Sequence, residues 1–147
     1  MPLPDVDIFQ GLPPAARASL EKAATTRALL AGQVLFAEGE RSADLCVLLS
    51  GRLEVVKRVR GSRTEHRIHE IPAGEPVGEI AFFDRSARSA TVRAMEPSVV
   101  VVLPFDVVAQ NAVLVKRLGE RLASRLRVSS EDELDLAQRR ASMGMLV

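Results

Sequence analysis

Between Arg27 and Pro104 the apolar residues of this chain come in short runs, at Ala28 to Leu30, Val34 to Phe36, Leu45 to Leu49, Arg52 to Val59, Glu65 to Ile71, Thr91 to Met95 and Val99 to Leu103. Gly32, Gly39, Gly51, Gly61, Gly74 and Gly78 punctuate them. Runs of this length, rich in Val, Leu and Ile and bounded by glycine, predict short antiparallel strands. Within Arg52 to Val59 the period-two rule puts Leu53, Val55, Lys57 and Val59 on one face. About eight strands at such spacing suit a double-sheet jelly roll or small barrel, an architecture that keeps its edges short.

The flanks have a different period. Pro13 to Ala24 is opened by proline and rich in alanine, with Leu20 on its apolar side, and predicts a short amphipathic helix with Phe9 and Leu12 as anchors before it. After Pro104, Asp106 can cap a first short helix, and from Val113 onward Leu114, Leu118, Leu122 and Leu126 recur every four residues. This predicts a long helix to about Arg140, where the pair Arg139 and Arg140 suits the negative end of the helix dipole. Leu122, Ser129 and Leu136 recur at seven, as do Leu118, Arg125 and Asp132, so the helix can pair with a copy of itself along a seam that polar residues interrupt. The expected fold is mainly β with flanking α: one domain over 1–147, with a helical segment at 1–26, a β-roll at 27–104, helices at 105–140 and a tail at 141–147.

Composition narrows the function classes. The chain has 147 residues, 47% hydrophobic and 27% charged, which is the size of one domain with enough apolar content for a core. A net charge of +1, with 17 arginines and three lysines scattered along the chain, gives no general attraction to nucleic acid. Cys46, the single cysteine, lies inside an apolar run, reads as a small buried hydrophobe and cannot form an intrachain disulfide. The longest apolar stretch, Val99 to Leu103, is far too short to span a membrane, and no basic-then-apolar leader is visible, so a cytoplasmic location is expected.

The stretch with most chemistry runs from Val77 to Ala94, VGEIAFFDRSARSATVRA. Gly78 lets the backbone approach a ligand and take dihedrals closed to other residues, and Glu79-Ile80-Ala81-Phe82-Phe83 can open one short helical turn. The unpaired amides at the start of that turn, together with the local dipole, favour an anion. Arg88 offers a planar fork that matches two phosphate oxygens, and Ser89 adds a hydroxyl. Glu79 can only accept hydrogen bonds, so it suits a sugar hydroxyl beside the phosphate rather than the phosphate itself. A surface ion pair between Glu79 and Arg88 across a hairpin is the plainer alternative.

Gly-Glu-Ile-Ala, the eight residues between Glu79 and Arg88, and Arg-Ser-Ala-Thr-Val together resemble the phosphate-binding cassette of cyclic nucleotide-binding domains. The resemblance implies a β-roll in which Gly78, Glu79, Ile80, Ala81, Arg88 and Ser89 hold the cyclic phosphate and the ribose 2′-hydroxyl. Where that family usually has an aromatic before Gly-Glu, this chain has Val77 after Pro76. The run Arg125-Leu126-Arg127-Val128-Ser129-Ser130-Glu131 is similar to the central helix of catabolite-activator-type bacterial regulators. By that resemblance Arg125 sits near Glu79, while Ser129 and Ser130 meet the base, one of them from a partner subunit; a solvated hydroxyl pair is the alternative. The base walls are implied to come from the strands after Gly51 and before Gly74, with Val55 and Ile68 the candidates, both also readable as core. The hydroxyl pair favours cyclic AMP (cAMP), although Ser89 could read a guanine edge, so cGMP stays open.

Catalytic signatures are not in evidence. His66 and His69, the only histidines, are three apart on a strand, which predicts opposite faces and no shared metal site. No Gly-x-Ser-x-Gly elbow, His-Glu-x-x-His helix or Gly-Lys-Ser/Thr loop occurs. One cysteine cannot ligate an iron–sulfur cluster. The expectation is a binding module without a cofactor, acting through a homodimer or a separate effector. Alternatives are the sensor half of a transcriptional regulator, whose helix-turn-helix Ala141 to Val147 are too few to build, and a scaffold that has lost its ligand.

Overall fold

In the computed structural model, which describes residues 2–125, the two most apolar runs of the sequence are neighbours in the middle of one sheet. These are β3 (Leu45–Ser50) and β8 (Ser98–Leu103). Their sheet has the order β1-β8-β3-β6, with β1 at Thr25–Leu29 and β6 at Pro76–Val77. A second sheet has the order β2-β7-β4-β5, built from Val34–Phe36, Thr91–Ala94, Arg52–Arg58 and Glu65–Pro72. Every pairing is antiparallel. The eight-stranded β-roll with flanking helices that the glycine-punctuated pattern predicts is the observed fold.

β3 and β8 lack polar alternation because both of their faces are covered. Cys46, Leu48 and Val100 point between the sheets, where they meet Leu35, Phe36, Leu53, Val55, Ile71 and Val92. Leu45, Val47, Val101 and Leu103 point the other way, into a second core that holds Phe9, Leu20, Phe82, Val108, Leu114 and Leu118. That outer core is roofed by helices: α1 (Pro14–Ala23), α2 (Glu79–Asp84), α3 (Phe105–Ala109) and α4, helical over 112–125. Each fully buried leucine here contributes about 1.5–3 kcal/mol by leaving water.

The second sheet keeps one wet face, and its polar residues form an ion-pair lattice. Glu54 lies between Arg93 (2.6 Å) and Arg67 (2.8 Å), and Arg93 also meets Glu65 at 2.7 Å. Hydrogen bonding from Arg93 holds the Glu54 carboxyl below its ordinary range.

Several expected boundaries shift for non-local reasons. β1 starts at Thr25 because it pairs along Ser98 to Val102, whereas Leu30 is 67% exposed and opens a turn that Gln33 closes. β6, absent from the expected strands, is two residues at a sheet edge, where a proline is tolerated, and exists through its pairing with Cys46 and Val47. Asp106 does not cap α3. Pro104 occupies the cap position without a side-chain bond, and the Phe105 amide donates instead to Asp44 Oδ1 (3.2 Å), 61 residues away in the chain. Asn111 caps α4, its Oδ1 accepting from the Leu114 amide at 3.2 Å.

A bulge in the β4–β5 pairing, opposite Val55 and Val56, breaks the period-two reading of β5. Val55 faces His69 and Val56 faces Arg67, so Ile68 is the extra residue. Leu53 and Val55 are core, but Lys57 is exposed and Val59 lies past the strand end. The same bulge puts His66 and His69 opposite Lys57 and Val55, which share a face, so the expectation of opposite faces fails.

Gly51 joins β3 to β4 at φ +92°, and a Cβ there would collide with the Ser98 hydroxyl and lie 2.7 Å from the Pro97 carbonyl oxygen. Gly51→Ala is expected to destabilise the fold by at least about 2 kcal/mol, since left-handed strain and overpacking add. Urea unfolding checks this, and a midpoint unchanged from wild type would contradict the close approach.

Candidate functional site

The β6–α2 junction is built around Gly78. At φ +96° this residue is left-handed, and a Cβ on it would sit 2.5 Å from Arg88 Nη1 and 3.3 Å from the Asp44 carbonyl oxygen. Only glycine allows the guanidinium so close to the backbone. α2 then runs for a turn and a half, leaving the amides of Glu79, Ile80 and Ala81 without intrahelical acceptors. Arg85 ends it in the left-handed region at φ +59°, donating to the Ala81 carbonyl at 3.0 Å. Asp84 stops the next turn by accepting from the Ser86 amide (2.9 Å) and hydroxyl (2.7 Å).

This local route brings the chain back so that Arg88 pairs with the loop before β3. Its amide donates to the Glu40 carbonyl and its carbonyl accepts from the Gly39 amide, both at 2.8 Å. The side chain, 5% exposed, points inward over the Phe36 ring at 3.7 Å. Nη2 donates to the Asp44 carbonyl (2.9 Å), Nε to the Ser42 hydroxyl (3.0 Å) and Nη1 to the Gly78 carbonyl (3.2 Å). These bonds leave two of the guanidinium N–H groups unused. Among the described residues no carboxylate lies within ion-pair distance of Arg88. Burial pulls its pKa below the ordinary arginine value, yet a guanidinium stays protonated at neutral pH. Cys46, buried nearby with its thiol pushed up to about 12 chiefly by burial, is neutral and supplies no counter-charge. The result is a buried cation with spare donors and, among the described residues, no carboxylate in direct contact, although the Glu40 and Asp44 carboxylates act on it from further off.

Arg88 borders a cleft of about 550 Å³ counted out to its open mouth. Phe36, Val55, Ile71, Val77 and Val92 form its apolar wall, and the start of α2 with Arg88 and Ser89 forms its polar end. Glu79 lies at that end, 3% exposed. Arg125 on α4 brings Nη1 to 2.7 Å from Glu79 Oε1, but off the N–H direction, so this buried oxygen accepts no hydrogen bond. Oε1 is therefore ion-paired but not hydrogen-bonded, and keeps the capacity to accept. The cleft therefore offers a cationic fork and an unfilled acceptor over an apolar wall, a combination suited to an anion that carries a hydroxyl and a flat apolar body.

The structure gathers Gly78, Glu79, Ile80, Ala81, Arg88, Ser89, Val55 and Arg125 around this one cleft. Ile68 is not there: the bulge turns it out to 54% exposure, and His69 and Ile71 line the wall in its place. Ser129 and Ser130 lie outside the described residues. Phe36, Ser42, Asp44 and His69 were missed by sequence reasoning, since each reaches the site through pairings far along the chain. The only sequence signal among them is the scarcity of aromatics, five phenylalanines in all, one of them under Arg88.

The fold is a β-roll that brings an arginine fork and a glutamate carboxylate to one cleft. The chain belongs to the cyclic nucleotide-binding domain family, whose model matches residues 26–112. It is 30% identical over 92 residues to the cAMP-dependent protein kinase regulatory subunit of Mycosarcoma maydis, covering 63% of this chain and 17% of that one. It is 28% identical over 133 residues to the CRP-like cAMP-activated global transcriptional regulator of Mycobacterium tuberculosis, covering 88% and 59%. The crystal structure of the Thermus thermophilus catabolite activator protein superposes with a TM-score of 0.75 at 25% identity, covering 89% of this chain and 62% of that one. The chain thus spans less than two thirds of each of these relatives.

His69 makes the cleft sensitive to acid. Burial first, and Arg125 second, hold its pKa below the ordinary 6.5, with Glu79 opposing them. Between that lowered value and 6.5 the unfolded chain binds the proton and the folded chain does not. Stability therefore falls as pH drops through 6.5 and levels off once the folded histidine is itself protonated. His69→Gln is expected to flatten this part of the profile in thermal melts taken from neutral to mildly acidic pH. Parallel declines in both proteins would show that His69 does not contribute.

Proposed function

We propose that this chain is a cyclic nucleotide receptor, not an enzyme, that takes cAMP in preference to cGMP and passes occupancy to a partner through α4. The observation that carries the reading is the pairing, in one cleft, of Arg88, which has spare donors and no carboxylate in direct contact among the described residues, with a Glu79 oxygen that is ion-paired to Arg125 but accepts no hydrogen bond. A cyclic phosphate answers the first and a ribose 2′-hydroxyl the second, while the apolar wall suits a purine. The names of two relatives, one cAMP-dependent and one cAMP-activated, support the adenine preference. The output route is supported by contacts of Arg121 with Glu75 and of Arg125 with both Glu75 and Glu79, which tie α4 to the cassette. Coupling of about 1–3 kcal/mol is typical of such a switch. Pairing of two copies through α4 belongs to the same proposal, with sedimentation in the presence and absence of ligand as its measurement.

A second reading has its own support. The likeness to the mycobacterial regulator covers 88% of this chain but 59% of that protein, which supports reading the chain as the sensor half of such a regulator. Tight DNA binding by the full-length gene product would favour this reading over a stand-alone receptor.

Calorimetric titration of the purified chain with cAMP and cGMP separates these from a scaffold that has lost its ligand, for which equal millimolar binding of both is the signature. Arg88→Ala is expected to weaken cyclic nucleotide binding by ~2 to 5 kcal/mol, the usual loss when one partner of a buried charge pair is removed. Wild-type heats that survive unchanged in the variant would sink the assignment of Arg88 to the phosphate.

A further inference from the structure

Glu75 does not line the cleft, yet α4 ties it to the residue that does. Arg121 and Arg125, one turn apart on α4, reach Glu75 and Glu79, four residues apart in the chain. Arg121 Nη2 bonds Glu75 Oε2. Arg125 straddles the two carboxylates, with Nη1 2.7 Å from Glu79 Oε1 and Nη2 3.9 Å from Glu75 Oε2. One carboxylate is buried at 4% side-chain exposure, and the other sits at the rim at 35%. Glu75 is also fixed in place, since its carbonyl accepts from the Leu48 amide of β3 at 3.1 Å.

A hydroxyl that donates to Glu79 has to join a carboxylate that Arg125 already faces. Arg125 has a second anionic partner within 3.9 Å, close enough to reach by side-chain rotation without moving the helix. We propose that Glu75 is a positioning residue for the ligand site, drawing Arg125 off Glu79 as the ligand's hydroxyl arrives and so freeing the acceptor for it. The proposal rests on the cyclic nucleotide reading and adds to it a specific exchange of ion-pair partners. It makes nucleotide occupancy and the attachment of α4 to the Glu75 loop parts of one equilibrium. With the charge at Glu75 removed, Arg125 is left with Glu79 as its anionic partner among the described residues, and the hydroxyl must compete for it.

The test compares cAMP with 2′-deoxy-cAMP by calorimetry on the full chain, in wild type, Glu75→Gln and Glu75→Asp. Glu75→Gln is expected to weaken cAMP binding about fivefold, within the range that coupled members of one ion-pair network reach, and to change 2′-deoxy-cAMP binding by less than about twofold. Glu75→Asp, which keeps the charge, is expected to bind cAMP within about twofold of wild type. An equal penalty on both ligands would mean that Glu75 acts on the site's structure or overall charge and would overturn the proposal. So would no penalty on either, or an aspartate variant that behaves like the glutamine one. Failure of wild type to bind either ligand would instead remove the nucleotide reading itself, a result that the wild-type titration shows before any variant is compared.

Discussion

Taking the Arg88 guanidinium out of water without a carboxylate beside it costs several kcal/mol, and much of the local structure is arranged around that cost. Two backbone carbonyls, one hydroxyl and the face of Phe36 hold the group: Phe36 comes from β2, Ser42 and Asp44 from the loop before β3, and Gly78 from the α2 junction. Gly78 has no Cβ because one would meet the fork, and the loop containing Ser42 and Asp44 is drawn against the α2 junction. Asp44 also caps α3 through its side chain while its carbonyl holds Arg88, so one residue links the site to the helical layer. An interior cation whose direct contacts are all dipoles is stabilised further by any anion that reaches its spare donors. Here the requirements of stability and of binding point to the same ligand class.

The placement of the cleft follows from burial on two faces. β3 and β8 are covered by the second sheet on one side and by helices on the other, which leaves the seam between α2 and the second sheet as the open mouth. α2 contributes to both regions: Phe82 packs in the helical core, while Glu79 and Ala81 line the cleft. Gly119 of α4 packs near Phe83, and Arg125 further along the same helix reaches Glu79. α4 thus packs on the cassette at one point and pairs with the Glu79 and Glu75 carboxylates at another.

Features encoded over a few residues were legible in the sequence. The glycine-bounded apolar runs identify the strands, the leucine repeat identifies α4, and Gly78, Glu79, Arg88 and Ser89 lie at a spacing that one short helix and an aspartate-closed turn convert into a cradle. The failures are of one kind. The Asp106 cap was lost to Asp44, and β6 exists only through its pairing with β3. Ile68 and the histidine faces were misread because a bulge inserted one residue into a strand, and a shift of one residue reverses every face beyond it.

By itself the sequence determined the β-roll and its helical flanks, which depend on local periodicity, and it singled out Gly78, Glu79, Arg88 and Ser89, which the fold brings to one cleft. Only the tertiary structure decided what surrounds the cassette: Phe36 under Arg88, Ser42 and Asp44 holding its fork, His69 rather than Ile68 on the wall, and Glu75 sharing Arg125 with Glu79. Ser42 and Asp44 meet Arg88 across 46 and 44 residues of chain. Contacts at that separation leave no periodic trace, because strand pairing and packing, not the neighbouring residues, choose the partner.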